Sequence, residues 1–133
     1  MSHIETMIGR LESAVLADAL ISHHVAFGEL TLVVKRDKIC DVLQALRDDP
    51  VLRFVCFIDL TALDRPAQAE RFEVVWHLLS PTLNDRIRVK VTTDEMTPVP
   101  STIGVFPASN WFEREVYDMY GVLFTGHPDL RRI

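Results

Sequence analysis

The chain has 133 residues, of which 48% are hydrophobic and 25% charged, a composition typical of a globular domain with a buried core. Its length predicts a single domain. The formal net charge of −5 at pH 7 argues against nucleic acid or an anionic membrane surface as the main partner. No apolar run approaches the ~20 residues of a membrane-spanning helix, and the N-terminus has neither a secretory-signal nor a transit-peptide pattern. The sequence therefore predicts a cytoplasmic protein.

The two cysteines, Cys40 and Cys56, both lie in apolar stretches. This setting predicts buried, reduced thiols of the kind found in cytosolic proteins. An iron–sulfur cluster normally takes four cysteine ligands, so this chain is not expected to hold one alone.

Residues 2–22 have the pattern of an amphipathic helix. Ser2 and Glu5 have the spacing of a capping box, and apolar side chains recur at helical intervals at Ile4, Ile8, Leu11, Val15 and Ala19. His23 and His24 are expected to form a polar helix end. A metal site is disfavoured because neighbours in sequence point apart and no Cys or carboxylate completes the ligand set.

The middle of the chain predicts strands around a second helix. Leu30 to Val34 is a β-branched run, and Asp37 is placed to cap a helix that Pro50 ends. The apolar face of that helix is Ile39, Val42, Leu43 and Leu46. Residues 52–60 are apolar on both faces, as in a central strand covered on both sides. A polar turn at 64–69 precedes a strand at 72–79.

Residues 86–92 alternate strictly, which predicts a strand with two different faces. Its apolar face is Ile87, Val89 and Val91, and its basic face is Arg86, Arg88 and Lys90. The basic face is either solvated or a docking surface for an acidic neighbour or for carboxylates of the chain's own helices. His77 shares its side of the preceding strand with Val75 and Leu79, which favours a hydrogen-bonded histidine within the sheet.

The last third begins extended at residues 97–100, because residues before proline avoid helical backbone. Ser101 is expected to cap a short helix through Ile103 and Phe106, and Pro107 admits a further helix at its first turn. In that final helix Asn110 and Glu113 have capping-box spacing, and Gly121 suits the C-terminal cap. Phe112, Val116 and Met119 are expected to share its apolar face, with Arg114 and Asp118 paired at i, i+4.

These elements predict one α/β (α+β) domain over residues 1–133, with helices packed on a mixed, mainly antiparallel sheet of about four strands. The expected order is α-β-α-β-β-β-α. Within it, residues 110–133 form a helix followed by a terminal loop rich in aromatic and charged side chains, a composition more typical of a binding loop than of a connector.

Familiar catalytic patterns are missing from the sequence. It contains no G-x-G-x-x-G, no G-x-x-x-x-G-K-[ST] and no G-x-S-x-G. Glu113 and Glu115 point in different directions on a helix, and Glu115 with Asp118 lacks further metal ligands. His127 in a Gly-His-Pro-Asp turn is either a proton-transfer group or a residue that hydrogen-bonds backbone where two subunits meet, and the family resemblance given next favours the second.

The terminal third also carries a family resemblance. The residues that carry it are Glu113-Arg114-Glu115, Tyr117-Asp118-Met119, Gly121-Val122, Phe124 and Gly126-His127-Pro128-Asp129-Leu130-Arg131-Arg132-Ile133. This long, ungapped pattern resembles the signature of the C subunit of bacterial-type proton-pumping NADH:quinone oxidoreductase, respiratory complex I. The upstream order of elements is similar as well, so the resemblance covers nearly the whole chain.

The resemblance implies a subunit of the peripheral arm that has no catalytic, cofactor-binding or metal residues of its own. FMN and iron–sulfur clusters would reside in partner subunits, and electrons would pass from NADH to quinone with coupled proton translocation. The chain would contact the quinone-pocket subunit and the subunit with the terminal iron–sulfur cluster, on the cytoplasmic side of the inner membrane. The implied interface residues are Glu113, Arg114, Glu115, Asp118, Phe124, His127, Pro128, Asp129, Arg131 and Arg132.

Two alternatives remain open from sequence. The chain would be either the equivalent subunit of a related membrane-bound hydrogenase or a free-standing protein-interaction domain. The resemblance also implies a tail that runs over a neighbouring subunit beyond the motif. The sequence stops at Ile133, so that tail is absent here or this is a short member. Residues 122–133 are expected to be poorly ordered in the free chain and to order on binding.

Overall fold

A computed structural model describes residues 4–10 and 14–127 of the chain. Its helices are α1 (Ile4–Arg10), α2 (Ala14–Ala19), α3 (Ile39–Asp48) and α4 (Ser109–Tyr120), with a short 3₁₀ turn at Arg36–Lys38. Its strands are β1 (Leu20–Ala26), β2 (Glu29–Val34), β3 (Cys56–Asp64), β4 (Phe72–Ser80), β5 (Asp85–Thr93), β6 (Val99–Pro100) and β7 (Phe124–Thr125).

The main sheet has the strand order β1-β2-β5-β4-β3. Every pairing in it is antiparallel except β2 with β5, where Leu32 lies opposite Val89 in a parallel register. A second, two-stranded parallel sheet pairs β6 with β7. The predicted α/β domain with a mixed, mainly antiparallel sheet is therefore confirmed, with five strands in place of about four.

The fifth strand, β1, corrects the prediction of a helix over residues 2–22. Helix α2 ends at Ala19, and residues 20–26 pair with β2 instead. A two-residue turn closes this hairpin, with Phe27 and Gly28 both at positive φ (54° and 75°), the backbone of a type I′ turn. Cross-strand hydrogen bonding outweighs the helical spacing here. His23 and His24 consequently lie in an exposed strand and not at a helix end.

Helix α3 confirms its predicted apolar face but not its predicted cap. Ile39, Val42, Leu43 and Leu46 are all buried. Asp37 lies inside the 3₁₀ turn, while Lys38 occupies the N-cap position without a side-chain cap hydrogen bond. The 3₁₀ turn leads directly into α3, so the helical backbone starts before the residue predicted to cap it. The helix ends at Asp48, ahead of Pro50, as the sequence predicted.

The strand predicted at 52–60 is displaced and lies at a sheet edge. Strand β3 spans Cys56–Asp64 and, within the described part of the chain, pairs only with β4. Leu52 and Phe54 are fully buried, but they lie in the connection that wraps the end of α3, where the Phe54 N–H donates to the Leu46 carbonyl at 3.0 Å. The apolar run that resembled a central strand is therefore, in its first part, a buried connecting segment.

The predicted short helix after Ser101 is instead a pair of turns. The Thr102 carbonyl accepts hydrogen bonds from the N–H groups of Val105 and Phe106 at 3.0 and 2.9 Å. The Ser101 hydroxyl lies 3.4 Å from the Ile103 nitrogen. Val99–Pro100 is extended, as predicted, and forms β6.

One face of the main sheet forms the core, and the opposite face is charged. Val74, Trp76 and Val89 on the core face have no exposed surface. The opposite face carries ion pairs of Arg88 with Glu29 and of Lys90 with Glu73 (3.9 Å) between neighbouring strands, and of Arg65, just after β3, with Glu73 (2.5 Å). It also carries a hydrogen bond between His77 Nδ1 and Asp59 Oδ1 (2.5 Å). Arg88 and Lys90 thus pair with carboxylates of strands and not of helices, and His77 is hydrogen-bonded within the sheet, as predicted.

Cys40 and Cys56 are free thiols and are half-buried. Among the described residues no helix is both long and apolar enough to cross a membrane.

The β1–β2 turn generates a prediction about stability. Phe27 holds a positive φ that most L-residues avoid at a cost of about 1–2 kcal/mol, and its side chain is fully exposed. Phe27→Asn should raise the melting temperature of the isolated chain by about 2–5 °C, because Asn adopts this backbone more readily and follows the type I′ preference. Calorimetry of the purified chain measures this shift.

Phe27→Ala is the matched control, since it removes the exposed ring without relieving the backbone. It should leave the melting temperature nearly unchanged. A stabilisation by Ala as large as that by Asn would attribute the effect to the exposed ring and not to the backbone.

Candidate functional site: helix α4 and the buried Glu113 network

Helix α4 begins one residue earlier than its predicted cap. The helix starts at Ser109, and the N-cap residue Ala108 makes no side-chain cap hydrogen bond. The first free N–H groups bond to backbone, with Ser109 donating to Phe106 at 2.9 Å and Asn110 to Pro107 at 3.2 Å. The predicted capping box of Asn110 and Glu113 is therefore wrong. Glu113 lies with Ser109 and Val116 on the buried face of the helix.

The carboxylate of Glu113 has no exposed surface and receives four hydrogen bonds. Oε1 accepts from the Ser101 hydroxyl at 2.7 Å. Oε2 accepts from the Thr102 N–H at 2.7 Å, the Thr102 hydroxyl at 2.9 Å and the Ser109 hydroxyl at 3.3 Å. A buried carboxylate is tolerated only when donors replace its water. These donors satisfy Glu113, which has no cationic partner among the described residues, and they tie α4 to the turn after β6.

The same network reaches the sheet and helix α3. The indole N–H of Trp76 on β4 donates to the Thr102 hydroxyl oxygen at 3.1 Å. The Cys40 thiol on α3 donates to the Ser101 carbonyl at 3.2 Å. Burial raises the pKa of Cys40, and the nearby charges of Glu113 and Asp41 raise it further. Cys40 is thus held as a thiol, which is not the reactive form of cysteine.

The end of α4 folds back onto the domain. Gly121 has φ 78° and its N–H bonds to the Tyr117 carbonyl at 2.8 Å, which confirms the predicted C-terminal cap. Val122 and Phe124 are buried, and β7 pairs with β6. The expectation of disorder is therefore wrong for residues 122–125, because Val122 and Phe124 join the chain's own core and β7 is paired, while Leu123 stays exposed. Residues 128–133 lie outside the described part of the chain.

The outward face of α4 carries Trp111, Arg114, Glu115 and Asp118. Trp111 is 52% exposed, and the guanidinium carbon of Arg114 lies 5.9 Å from the centre of its ring. Within the described residues Arg114 forms no ion pair with Asp118, contrary to prediction; its charge lies over the indole instead. The Arg114 Nε is buried without a hydrogen-bond acceptor.

The predicted apolar face of α4 is correct at two of its three positions. Phe112 packs on Phe57 with ring centres 5.5 Å apart, and Val116 is buried. Met119 is 66% exposed, so its assignment was wrong; it lines an open cleft of about 400 Å³. Arg71 lies in that cleft and pairs with both of its carboxylates, Asp64 at 2.7 Å and Glu95 at 2.6 Å.

The predicted interface residues thus fall into three groups. Arg114, Glu115 and Asp118 lie together on the outward face of α4, and His127 lies beside its first turn, with Nε2 3.3 Å from the Asn110 carbonyl oxygen. Glu113 and Phe124 are buried within the chain. Pro128, Asp129, Arg131 and Arg132 are outside the described residues.

Sequence reasoning missed the hydroxyl donors around Glu113. Ser101, Thr102 and Ser109 are short polar residues in a proline-rich connection, where such residues usually serve turns. The available signal was a glutamate in helical register with Val116, which placed its carboxylate towards the core. Among the described residues no group of three or more His, Cys, Asp or Glu side chains is arranged to hold a metal ion.

Removing the Glu113 carboxylate should destabilise the isolated chain strongly. Glu113→Ala leaves several buried donors without an acceptor, and each costs roughly 1–3 kcal/mol, so the free energy of unfolding should fall by at least ~3 kcal/mol. The free energy of unfolding of Glu113→Gln should lie between those of Glu113→Ala and the wild type. Its amide oxygen still accepts hydrogen bonds, but its NH₂ group faces other donors. Urea unfolding measures both.

Glu115→Gln is the control, because it changes the same chemical group on the exposed face of the same helix. It should alter stability by less than ~0.5 kcal/mol. If Glu113→Ala lowered the free energy of unfolding as little as the control does, the network would not anchor α4.

The charge of Glu113 should also be detectable at Cys40. In a Cys56→Ser background, Glu113→Gln should lower the Cys40 pKa, because it removes a negative charge that disfavours the thiolate. The Cys40 pKa should stay above its ordinary value, since burial is the larger cause of its rise. The pH profile of alkylation by iodoacetamide measures the shift, and Glu115→Gln should leave the profile unmoved.

Comparison with known proteins identifies close relatives of this chain. A protein from Rhodopseudomonas palustris (strain TIE-1), named as the C subunit of NADH-quinone oxidoreductase, is 55% identical over 95% of the chain and 62% of its own length. Proteins of the same name from Methylobacterium radiotolerans and Caulobacter vibrioides are 60% and 58% identical over 89% and 88% of the chain and 55% and 59% of their own lengths. The chain thus spans 55–62% of the length of these relatives.

A solved structure has the same fold. It comes from the membrane-bound sulfane sulfur reductase, an archaeal respiratory membrane complex, with a TM-score of 0.78 and 27% identity over 95% of this chain and 72% of that chain.

The family model for the respiratory-chain NADH dehydrogenase 30 kDa subunit matches residues 32–133, which include most of the sheet, the Glu113 network and the terminal motif. The match extends over well more than half of the sequence. The chain therefore belongs to the family of the 30 kDa subunit of respiratory-chain NADH dehydrogenase.

Proposed function

We propose that the chain is a subunit of an NADH:quinone oxidoreductase and supports the reaction without a redox centre of its own. The observation that carries this proposal is the 55–60% identity, over most of the chain, to proteins named as the C subunit of NADH-quinone oxidoreductase. Electrons would pass from NADH through FMN and iron–sulfur clusters of partner subunits to quinone, with coupled proton translocation.

The proposed task of the chain is to hold neighbouring subunits in register. A support of this kind must itself be rigid, since electron transfer depends on fixed distances between centres. The Glu113 network supplies that rigidity by joining α4 to the turn after β6, to β4 through Trp76, and to α3 through the Ser101 carbonyl. The outward face of α4 is thereby held in a fixed orientation.

The proposed interface consists of that outward face and the segment that follows it. Arg114, Glu115 and Asp118 present charge beside the exposed Trp111, a mixture typical of interfaces in which an aromatic anchor is surrounded by charged contacts. His127 and residues 128–133 would extend the contact. The partners would be the quinone-pocket subunit and the subunit with the terminal iron–sulfur cluster, on the cytoplasmic side of the inner membrane.

A second candidate is the equivalent subunit of another respiratory membrane complex. The observation that favours it is the shared fold, at a TM-score of 0.78, with a chain of the archaeal sulfane sulfur reductase complex. The hydrogenase alternative drawn from the sequence belongs to the same class. The higher identity to NADH-quinone oxidoreductase subunits favours the first proposal.

The composition of the native complex tests the proposal. When tagged at its own locus in the source organism, the chain should co-purify in mild detergent with the subunits of an NADH:quinone oxidoreductase, identified by mass spectrometry. The preparation should oxidise NADH and contain FMN and iron.

The isolated chain, purified under the same conditions, is the control and should have no visible absorption band and no bound flavin or iron. Co-purification with hydrogenase or sulfur reductase subunits would support the second candidate. Migration of the tagged chain alone would contradict both.

A further inference from the structure

The two edges of the main sheet differ in how they are protected from pairing with another chain. Strand β3 at one edge has a register shift between Phe57 and Asp59, contains two aspartates, and is packed by helix α4, with the ring centres of Phe57 and Phe112 5.5 Å apart. Bulges, charges and covering helices are the devices that normally block an edge strand. Strand β1 at the other edge contains no Asp, Glu, Lys, Arg or Pro, and its register shift is confined to its start, between Leu20 and Ser22. The rest of β1 is open to pairing.

The register of the hairpin shows which backbone groups of β1 face away from the sheet. Ala26 and Glu29 flank a two-residue turn, so they form a hydrogen-bonded pair, and the pairs after them alternate between non-bonded and bonded. His23 and Val25 therefore occupy non-bonded positions and direct their N–H and C=O groups away from β2. Within the described part of the chain, β1 has no other strand beside it and these groups have no backbone partner.

The side chains of β1 leave apolar surface uncovered at the same edge. Residues 21–26 are all exposed. Val25 lies opposite the fully buried Leu30, which places it on the core side of the sheet, yet it is 47% exposed. Ile21 is 62% exposed. The buried face of the sheet thus ends at β2, and β1 extends it without being covered.

These groups specify a β-strand as the occupant of the edge. Backbone donors and acceptors at every second residue are satisfied together only by another extended chain, as in strand addition to a sheet edge. Because β1 has no charged side chain outside its two histidines, the added strand should present apolar or uncharged residues beside Val25.

A second copy of this chain fits the edge less well than a strand of a different protein. Two paired β1 strands would bury far less than the roughly 1,600 Å² of a standard stable interface. Each copy also has a net charge of −5, so the two would repel each other. In a multi-subunit complex, further contacts hold the partners together and a short strand pairing is sufficient.

We propose that β1 is a docking edge to which a β-strand of a neighbouring subunit adds, extending the main sheet to six strands. This inference rests on the proposed function and gives it a second contact surface. Helix α4 packs on β3, and β1 lies at the opposite edge of the sheet. The chain would therefore contact proteins on both sides of one rigid sheet, which is the arrangement needed to hold two neighbours in register.

Amide hydrogen exchange with residue resolution, on the isolated chain and on the native complex, tests the pairing directly. The N–H groups of His23 and Val25 should exchange rapidly in the isolated chain and at least ~10-fold more slowly in the complex, because the added strand accepts hydrogen bonds from them. The N–H of His24, which bonds to β2, is the internal control and should be protected in both states. This alternation distinguishes strand pairing from a contact made by side chains alone.

A proline at position 23 removes one outward donor without removing a bond to β2. His23→Pro and its matched control His23→Ala should melt within about 3 °C of each other as isolated chains, since proline is tolerated where the N–H of an edge strand faces away from the sheet. In the native complex, His23→Pro should be lost on dilution at a protein concentration at least ~10-fold higher than His23→Ala. Quantitative mass spectrometry after native electrophoresis gives the subunit ratio for each variant.

A charge placed on the edge provides a second test that leaves the backbone unchanged. Val25→Lys should weaken retention in the complex, because an ammonium group beside an added strand opposes pairing. Leu63→Lys is the control, since Leu63 on β3 is exposed to the same extent, 47%, at the opposite edge of the sheet. It should be retained like the wild type.

Several results would overturn the inference. Unchanged exchange of His23 and Val25 on assembly, or equal retention of His23→Pro and His23→Ala, would show that no strand pairs with β1. A melting temperature of His23→Pro several degrees below that of His23→Ala would show that the His23 N–H bonds within its own chain. An isolated chain that sediments as a dimer, and as a monomer once His23→Pro is introduced, would assign the edge to a second copy. In contrast, a wild-type chain that joins no complex would contradict the proposed function itself.

Discussion

A carboxylate without exposed surface governs the terminal third of this fold. Glu113 would be strongly destabilising if its oxygens lacked partners, because the core cannot replace water for a charged group. Ser101, Thr102 and Ser109 satisfy it, and in doing so they fix the position of α4 relative to the turn after β6. The helix is therefore held by polar contacts as well as by the packing of Phe112 and Val116.

That constraint separates two kinds of charge on the molecule. On the open face of the sheet, carboxylates and cations on neighbouring strands pair with each other, as Arg88 does with Glu29 and Lys90 with Glu73. Their charges are largely compensated within the chain. On the outward face of α4, Arg114 lies over Trp111 with its Nε unsatisfied, and no described residue compensates it. Interaction with another protein is accordingly proposed for α4 and not for the basic face of β5.

Elements with strong local signals were predicted well. The alternation at 86–92, the apolar face of α3 and the glycine after α4 each encode a local backbone or a buried side, and β5, α3 and the left-handed cap at Gly121 follow them. Predictions from local patterns were wrong where pairing with another strand decided the secondary structure. Residues 20–22 were predicted to end the first helix, yet residues 20–26 pair with β2 and leave Ile21 and Val25 exposed at the sheet edge.

The sequence by itself determined the family, the fold class and the helix that carries the terminal motif, because these depend on residue identities and short-range periodicity. Only the tertiary structure decided what Glu113 and Arg114 do. Both belong to one Glu-Arg-Glu triplet on one helix, and spacing suggested a cap for the first and an ion pair with Asp118 for the second. The register of α4 against the sheet turned Glu113 into the core among hydroxyl donors and left Arg114 outside over Trp111. Contacts between residues distant in sequence set that register, and no local pattern records them.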